Sequence, residues 1–241
     1  MGKTVAIVQS CYVPWKGYFD LIHSADAFVL YDDVQYTRRD WRNRNRIKTA
    51  AGTHWVTIPV NVKGRYHQNI CDVTVSDPDW AIQHWKSIRH AYSRAPYFAQ
   101  YAAELDALYC ECNETSLSAI NERFLRAMCA WFNIQTPIKR SDEFSLPDER
   151  TERLIEICRQ MDATHYLSGP SAKAYIDETR FSDAGIDVVW MDYDGYPEYP
   201  QLFGPFVHEV SVLDLVLNTG PDAPRYMKSF TDTRSDRAAA V

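Results

Sequence analysis

At 241 residues, with 46% apolar and 24% charged residues, the chain has the profile of a globular protein of one large or two small domains. Its net charge of −6 argues against broad binding to nucleic acid or to an anionic membrane surface, and no apolar run is long enough to span a bilayer. Six cysteines without a CxxC pair and seven histidines without HxH or HxxxH spacing give no metal signature, and with no signal peptide a reduced, cytoplasmic setting is expected.

Residues 3–10 (KTVAIVQS) are apolar and β-branched, which predicts a buried strand. CYVPWKGYFD follows, where Pro14 and Gly17 break the strand into a loop, and FDLIHSAD continues as a short helix with Phe19, Leu21 and Ile22 inward. AFVLYDDV is a second strand. This β–loop–α–β opening predicts an α/β fold, mainly a parallel sheet with flanking helices and a Rossmann-like start. THWVTIPVNV alternates as a strand ending near Lys63-Gly64, and CDVTVS reads as another.

From Asp79 the period becomes helical to about Asn113, and Ser116–Phe132 places Leu117, Ile120, Phe124, Met128 and Trp131 on one face. A helical subdomain at about 79–133 is therefore expected inside a domain spanning 1–230. IQTPIKRSDEF gives a strand and its exit, Thr151–Met161 an amphipathic helix, and His165–Leu167 a short strand followed by Gly-Pro and a helix. IDVVWMDY is another strand, and Ser211–Asn218 forms a helix ahead of Gly220. Residues 231–241 lack apolar periodicity and are expected to form a disordered tail.

The chemistry concentrates in Tyr31–Lys48, where six Arg and Lys residues fall between Arg38 and Lys48 with only Asp40 opposing them. Arginine presents a planar fork of donors matched to carboxylate and phosphate, so an anionic ligand is expected here. Gln35, Tyr36, Arg39, Trp41, Arg42, Asn43, Arg44 and Arg46 are its candidate contacts; a solvated charged segment is the plainer alternative. Lys16 and Tyr18 stand in a strand-to-helix loop, the usual place for a phosphate, although neither GxxxxGK[ST] nor GxGxxG is present. A rigid Pro-Trp turn packed in the core explains that loop equally well.

Ser168, Gly169, Ser171 and Lys173 precede or begin a predicted helix, where amides and hydroxyls can converge on an anion or simply cap the helix. Asp32, Asp33 and His165 are the candidate acid–base groups, and Gln201 in QLFGPF is a further ligand contact. Cys11 ends the first strand, but no His or Asn is positioned by sequence to activate its thiol.

QSCYVPWKGYFDLI, YDDVQYTRRDWRNRNRIKT, YLSGPSAKAYI, and YPQLFGPF followed by VSVLDLVLNTG run in this order from about Val5 to Gly220. Together they resemble the WbqC-like protein family. The resemblance implies a bacterial enzyme of surface-polysaccharide, especially O-antigen, or natural-product biosynthesis, which transfers an acyl or aminoacyl (for example glycyl) group to an amino sugar. It brings no settled catalytic residues. The expected partners are a nucleotide-linked sugar and an acyl or peptidyl carrier protein. A phosphopantetheine or coenzyme A thioester is the donor, with no tightly bound cofactor. Two alternatives stay open: an ATP-using adenylyl or nucleotidyl transferase with a class I synthetase-like site, although HxGH and KMSKS are absent, and a non-catalytic pathway binding protein.

Overall fold

A computed structural model describes residues 2–231. The first β-branched run is β1 (Thr4–Val8), followed by α1 (Lys16–His23) and β2 (Ala27–Leu30). β3 (Arg44–Thr49) and β4 (Gly52–Thr57) pair antiparallel as a hairpin. Then come α2 (Trp80–Tyr92), α3 (Phe98–Cys110), α4 (Leu117–Trp131), β5 (Ile138–Arg140), α5 (Arg150–Gln160) and β6 (His165–Ser168). α6 (Glu178–Asp183), β7 (Asp187–Trp190), α7 (Val212–Thr219) and the short α8 (Lys228–Thr231) complete the described chain. The remainder of the expected tail, residues 232–241, lies outside the described residues.

β5, β2, β1, β6 and β7 form one parallel sheet in that order. Counted by their sequence within this sheet, the order is 3-2-1-4-5, the doubly wound arrangement, and the winding reverses between β1 and β6. The strands read as unbroken apolar runs because both faces are covered. Val5, Ile7, Ala27, Val29 and Tyr166 pack against α5 and Phe181 of α6. Ala6, Phe28, Leu30 and Leu167 face the opposite way, into a core shared with Phe19 and Ile22 of α1 and Phe124 and Met128 of α4. Each such side chain removed from water contributes about 1.5–3 kcal/mol.

Two expectations change at the hairpin. β4 stops at Thr57 because Pro59, two residues on, has no N–H for a ladder. CDVTVS is not a strand: Ile70–Asp72 is a 3-10 turn, and Thr74 and Val75 make only isolated bridges, to Ser116 and Val60. Successive residues there pair with different neighbours, so no ladder propagates.

Candidate active site

In open α/β sheets the crevice beyond the strand C-termini, at the winding reversal, is where ligands bind. Here that crevice is bordered by the loop leaving β1 (Gln9–Trp15) and by Ser168-Gly169 at the end of β6. The β1 loop is held from several directions. Ser10 N–H donates to Asp32 Oδ1 at 2.8 Å, and the Ser10 hydroxyl accepts from Asn121 Nδ2 at 2.8 Å. Asn45 Nδ2 donates to the carbonyls of Tyr12 (3.1 Å) and Val13 (2.9 Å), and Val212 N–H to that of Pro14 (2.9 Å). Val13 sits at φ 37°, a left-handed conformation that β-branched residues avoid. Such strain costs on the order of 1–3 kcal/mol and persists only where the surroundings over-determine it, as they do here.

Below this loop lies a chamber of about 240 Å3 lined by Cys11, Pro14, Trp15, Tyr18, Trp41, Asn45 and Glu209. One nitrogen of Arg42, Nη1, donates to the carbonyls of Gln9 (3.1 Å) and Ser10 (3.2 Å) and lies 2.9 Å from Cys11 Sγ. Burial pushes the Cys11 thiol up to about 11, against the opposing pull of Arg42. The Tyr18 hydroxyl donates to Gln9 O at 2.9 Å. Trp15 meets Tyr193 edge to face at 5.1 Å between centroids, and Tyr193 faces Gly169 across the crevice. Trp15, Tyr18 and Trp41 line the chamber together with the thiol.

The rim of the chamber is cationic. Strand alternation buries Asn45 and Ile47 on one face of β3 and turns Arg44 and Arg46 to the other. The Arg44 guanidinium lies 4.1 Å from the centre of the Trp55 ring, and that of Arg46 lies 5.7 Å from Trp41 and 5.6 Å from Trp55. The two indoles are 5.3 Å apart, and each residue is 40% exposed, so the ladder is open along its length. Arg46 also pairs with Glu209 at 3.8 Å, which ties the ladder to the chamber wall. The Nε atoms of Arg44 and Arg46 are buried with no hydrogen-bond partner in the protein. A buried donor of this kind is normally satisfied, and here the indole faces stand beside these atoms instead.

The family model for the WbqC-like protein family matches residues 9–226, from the strained loop to the end of the region behind α7. The chain belongs to the WbqC-like protein family. Over 226 residues it is 51% identical to the uncharacterized protein Rv1507c of Mycobacterium tuberculosis (strain ATCC 25618 / H37Rv), an overlap covering 94% of this chain and 98% of that protein. No solved structure matches the chain.

In this WbqC-like chain the residues singled out from the sequence fall into separate groups. Trp41, Arg42, Arg44, Arg46 and Tyr18 meet at the chamber and its rim. Tyr36, Arg39 and Asn43 line a different open cavity of about 530 Å3. Gln35 and Asp33 line a third, of about 500 Å3, with Arg150 and Arg153 at the start of α5. Asp32 and Asp33 are structural anchors in the resting protein. Asp32 accepts from Ser10 and from the Ser118 hydroxyl, and Asp33 pairs with Arg153 and Ser141.

His165, Ser171, Lys173, Lys16 and Gln201 lie away from the chamber lining. His165 is the first residue of β6, paired with Thr4 and Asp187, so it lies at the N-terminal edge of the sheet, opposite the crevice. Ser171 and Lys173 belong to a five-residue 3-10 turn, Pro170–Ala174, and are exposed, with Lys173 over the Trp190 ring. No α-helix N-terminus forms there, and only Ser168 and Gly169 reach the crevice. Lys16 is buried between Tyr196 and Tyr199 and donates to Pro197 O at 3.0 Å. Burial lowers its pKa to about 8, against the pull of Asp20. Gln201 is saturated inside the protein: its amide nitrogen reaches Asp214 Oδ1 (2.6 Å) and Val207 O (3.1 Å), and its oxygen accepts from Lys48 Nζ (2.5 Å). The residues that sequence reasoning left out are Trp15, Asn45, Trp55, Tyr193 and Glu209. Only Asn45 carried a signal, in its alternation with the arginines.

Proposed function

We propose that this WbqC-like protein transfers an acyl or aminoacyl group, such as glycyl, from a carrier or coenzyme A thioester to the amine of a nucleotide-linked amino sugar. The setting is surface-polysaccharide (O-antigen) or natural-product biosynthesis. One observation carries the reading: a ring-walled chamber holding a thiol–guanidinium pair opens directly onto a cationic ladder with unsatisfied donors. Phosphate oxygens of the sugar nucleotide would pair with the guanidinium charges of Arg44 and Arg46, while Trp41 and Trp55 take a ring. The amine and the thioester carbonyl then meet in a small apolar volume, where positioning supplies much of the rate.

The chemistry is direct aminolysis. The amine nitrogen forms a bond to the thioester carbonyl carbon, the C–S bond breaks, and the sulfur leaves with a proton as the carrier thiol. Glu209 is the one carboxylate among the chamber's lining residues and takes the ammonium proton. The Arg42 guanidinium beside Cys11 supports the developing oxyanion. With its pKa near 11, Cys11 is about one part in 10,000 thiolate at pH 7, so it serves as a neutral wall of the site rather than as a covalent relay.

Purified protein is incubated with uridine-diphosphate amino sugars and glycyl or acetyl coenzyme A. Free thiol is then quantified and the new amide weighed by mass spectrometry. Product that falls at least about tenfold in Glu209→Gln supports the reading. Absence of amide with every donor and acceptor, together with ATP–pyrophosphate exchange, would replace it by the second reading, an ATP-using adenylyl or nucleotidyl transferase. The 3-2-1-4-5 strand order, common among nucleotide-binding folds, is the observation that favours this alternative.

A further inference from the structure

A groove of about 580 Å3 opens between the β3–β4 turn and the outer face of α2. Lys86 and His90 stand one helical turn apart on α2, and Arg94 follows its C-terminus. His54 joins them from β4, and Phe203 belongs to the same lining. None of the groove's lining residues is acidic. Among the described residues neither Lys86 nor Arg94 has an ion-pair partner.

Basic side chains at a helix C-terminus are favoured by its dipole, and that accounts for His90 and Arg94 taken singly, though not for Lys86 in the middle of α2. Nor does it account for His54, which comes from the hairpin, or for convergence of all four on a concave surface in a chain of net charge −6. Phe203 lines the same groove from a left-handed backbone position (φ 63°), which places an apolar ring beside the charges. The groove shares no lining residue with the chamber and sits at the turn end of the hairpin, whereas Asn45 and Trp41 lie at the open end.

We propose that this groove is a second ligand site, which binds a small phosphorylated molecule carrying two or more negative charges. The phosphoryl groups lie between Lys86, Arg94, His54 and His90, and a planar ring rests against Phe203. The assignment is independent of the transfer reaction proposed above.

Calorimetric titration of the full chain at about 0.1 M salt, where exposed charges still act over about 10 Å, tests it with pyrophosphate, ADP and adenosine. ADP is expected to bind more tightly than pyrophosphate, with adenosine giving no measurable heat. The double variant K86A/R94A weakens ADP by at least about tenfold, or 1.4 kcal/mol. F203A erases the advantage of ADP over pyrophosphate. R46A, which removes any diphosphate binding at the ladder, leaves the K86A/R94A-sensitive affinity unchanged, and circular dichroism verifies that each variant is folded. The proposal is overturned if neither phosphate binds saturably, or if K86A/R94A binds as the wild type does while R46A does not.

Discussion

Arg42 Nη1 touches Cys11 Sγ at 2.9 Å while the same nitrogen holds the Gln9 and Ser10 carbonyls. One guanidinium thus fixes the exit of β1 and sets the surroundings of the only thiol in the chamber lining. Lysine carries its ammonium on a flexible four-carbon stem, so it does not hold that position as firmly. Arg42→Lys and Arg42→Ala are expected to lower stability by about 2–4 kcal/mol in urea unfolding, because buried carbonyls lose their donor.

The same contact fixes how Cys11 reacts. A rise from 9.0 to about 11 leaves roughly a hundredfold less thiolate at pH 8 than an ordinary cysteine has. Peptide mapping after iodoacetamide treatment should show Cys11 labelling slowly at pH 7–8 and faster with each pH unit up to about 11. Arg42→Ala removes the one group that lowers this pKa, so labelling at a given pH should slow further. Labelling of wild-type Cys11 at pH 7 as fast as a free thiol would contradict the site's electrostatics.

Lys16 makes stability depend on alkaline pH. Its pKa falls from 10.5 to about 8 because burial disfavours the charge. Below pH 8 folded and unfolded chains are both protonated, and the full cost of burying the charge is present. Between 8 and 10.5 the folded chain gives up its proton first, so the cost shrinks; above 10.5 it is gone. Relative to Lys16→Met, wild type should therefore gain up to about 3 kcal/mol between pH 7.5 and 10.5, read from paired urea titrations. A constant difference across that range would remove the assignment.

Gln201 separates stability from binding. Its hydrogen bonds all run inward, to Asp214, Val207 and Lys48, and burial raises the Asp214 carboxyl despite them. Gln201→Ala should cost about 2–4 kcal/mol of stability and leave KM for the sugar nucleotide within about twofold. A large KM change in a stably folded variant would return Gln201 to the ligand site.

The two edges of the sheet make opposite predictions. His165→Ala, at the N-terminal edge, should leave transfer within about twofold of wild type. Arg46→Ala on the ladder should raise KM about tenfold with little change in kcat, since it removes binding common to the ground and transition states. Equal losses in both variants would mean that the crevice is not the site.

Much of the fold could be read from the chain because buried parallel strands write themselves as short β-branched runs. TVAIV and AFVL needed no partner information to be recognised. The direction of β6 also follows from that rule: in a parallel sheet whose site lies at the strand C-termini, the first residue of HYLS points away from it. What the sequence does not encode locally is which cation turns inward. Arg42 stands in the loop ahead of β3 and goes to the thiol, whereas Arg44 and Arg46 go to the indoles. The partners that decide this, Gln9, Ser10 and Trp55, are remote or lie across the hairpin. Gln201 escaped for the same reason, since Lys48 is 153 residues away along the chain.

A crystal structure with the nucleotide-linked amino sugar that most raises the melting temperature tests the transfer site most directly. The diphosphate is predicted on Arg44 and Arg46, with the sugar amine in the chamber beside Cys11 and Glu209. A crevice without density for that ligand, with this chamber unaltered, would contradict it.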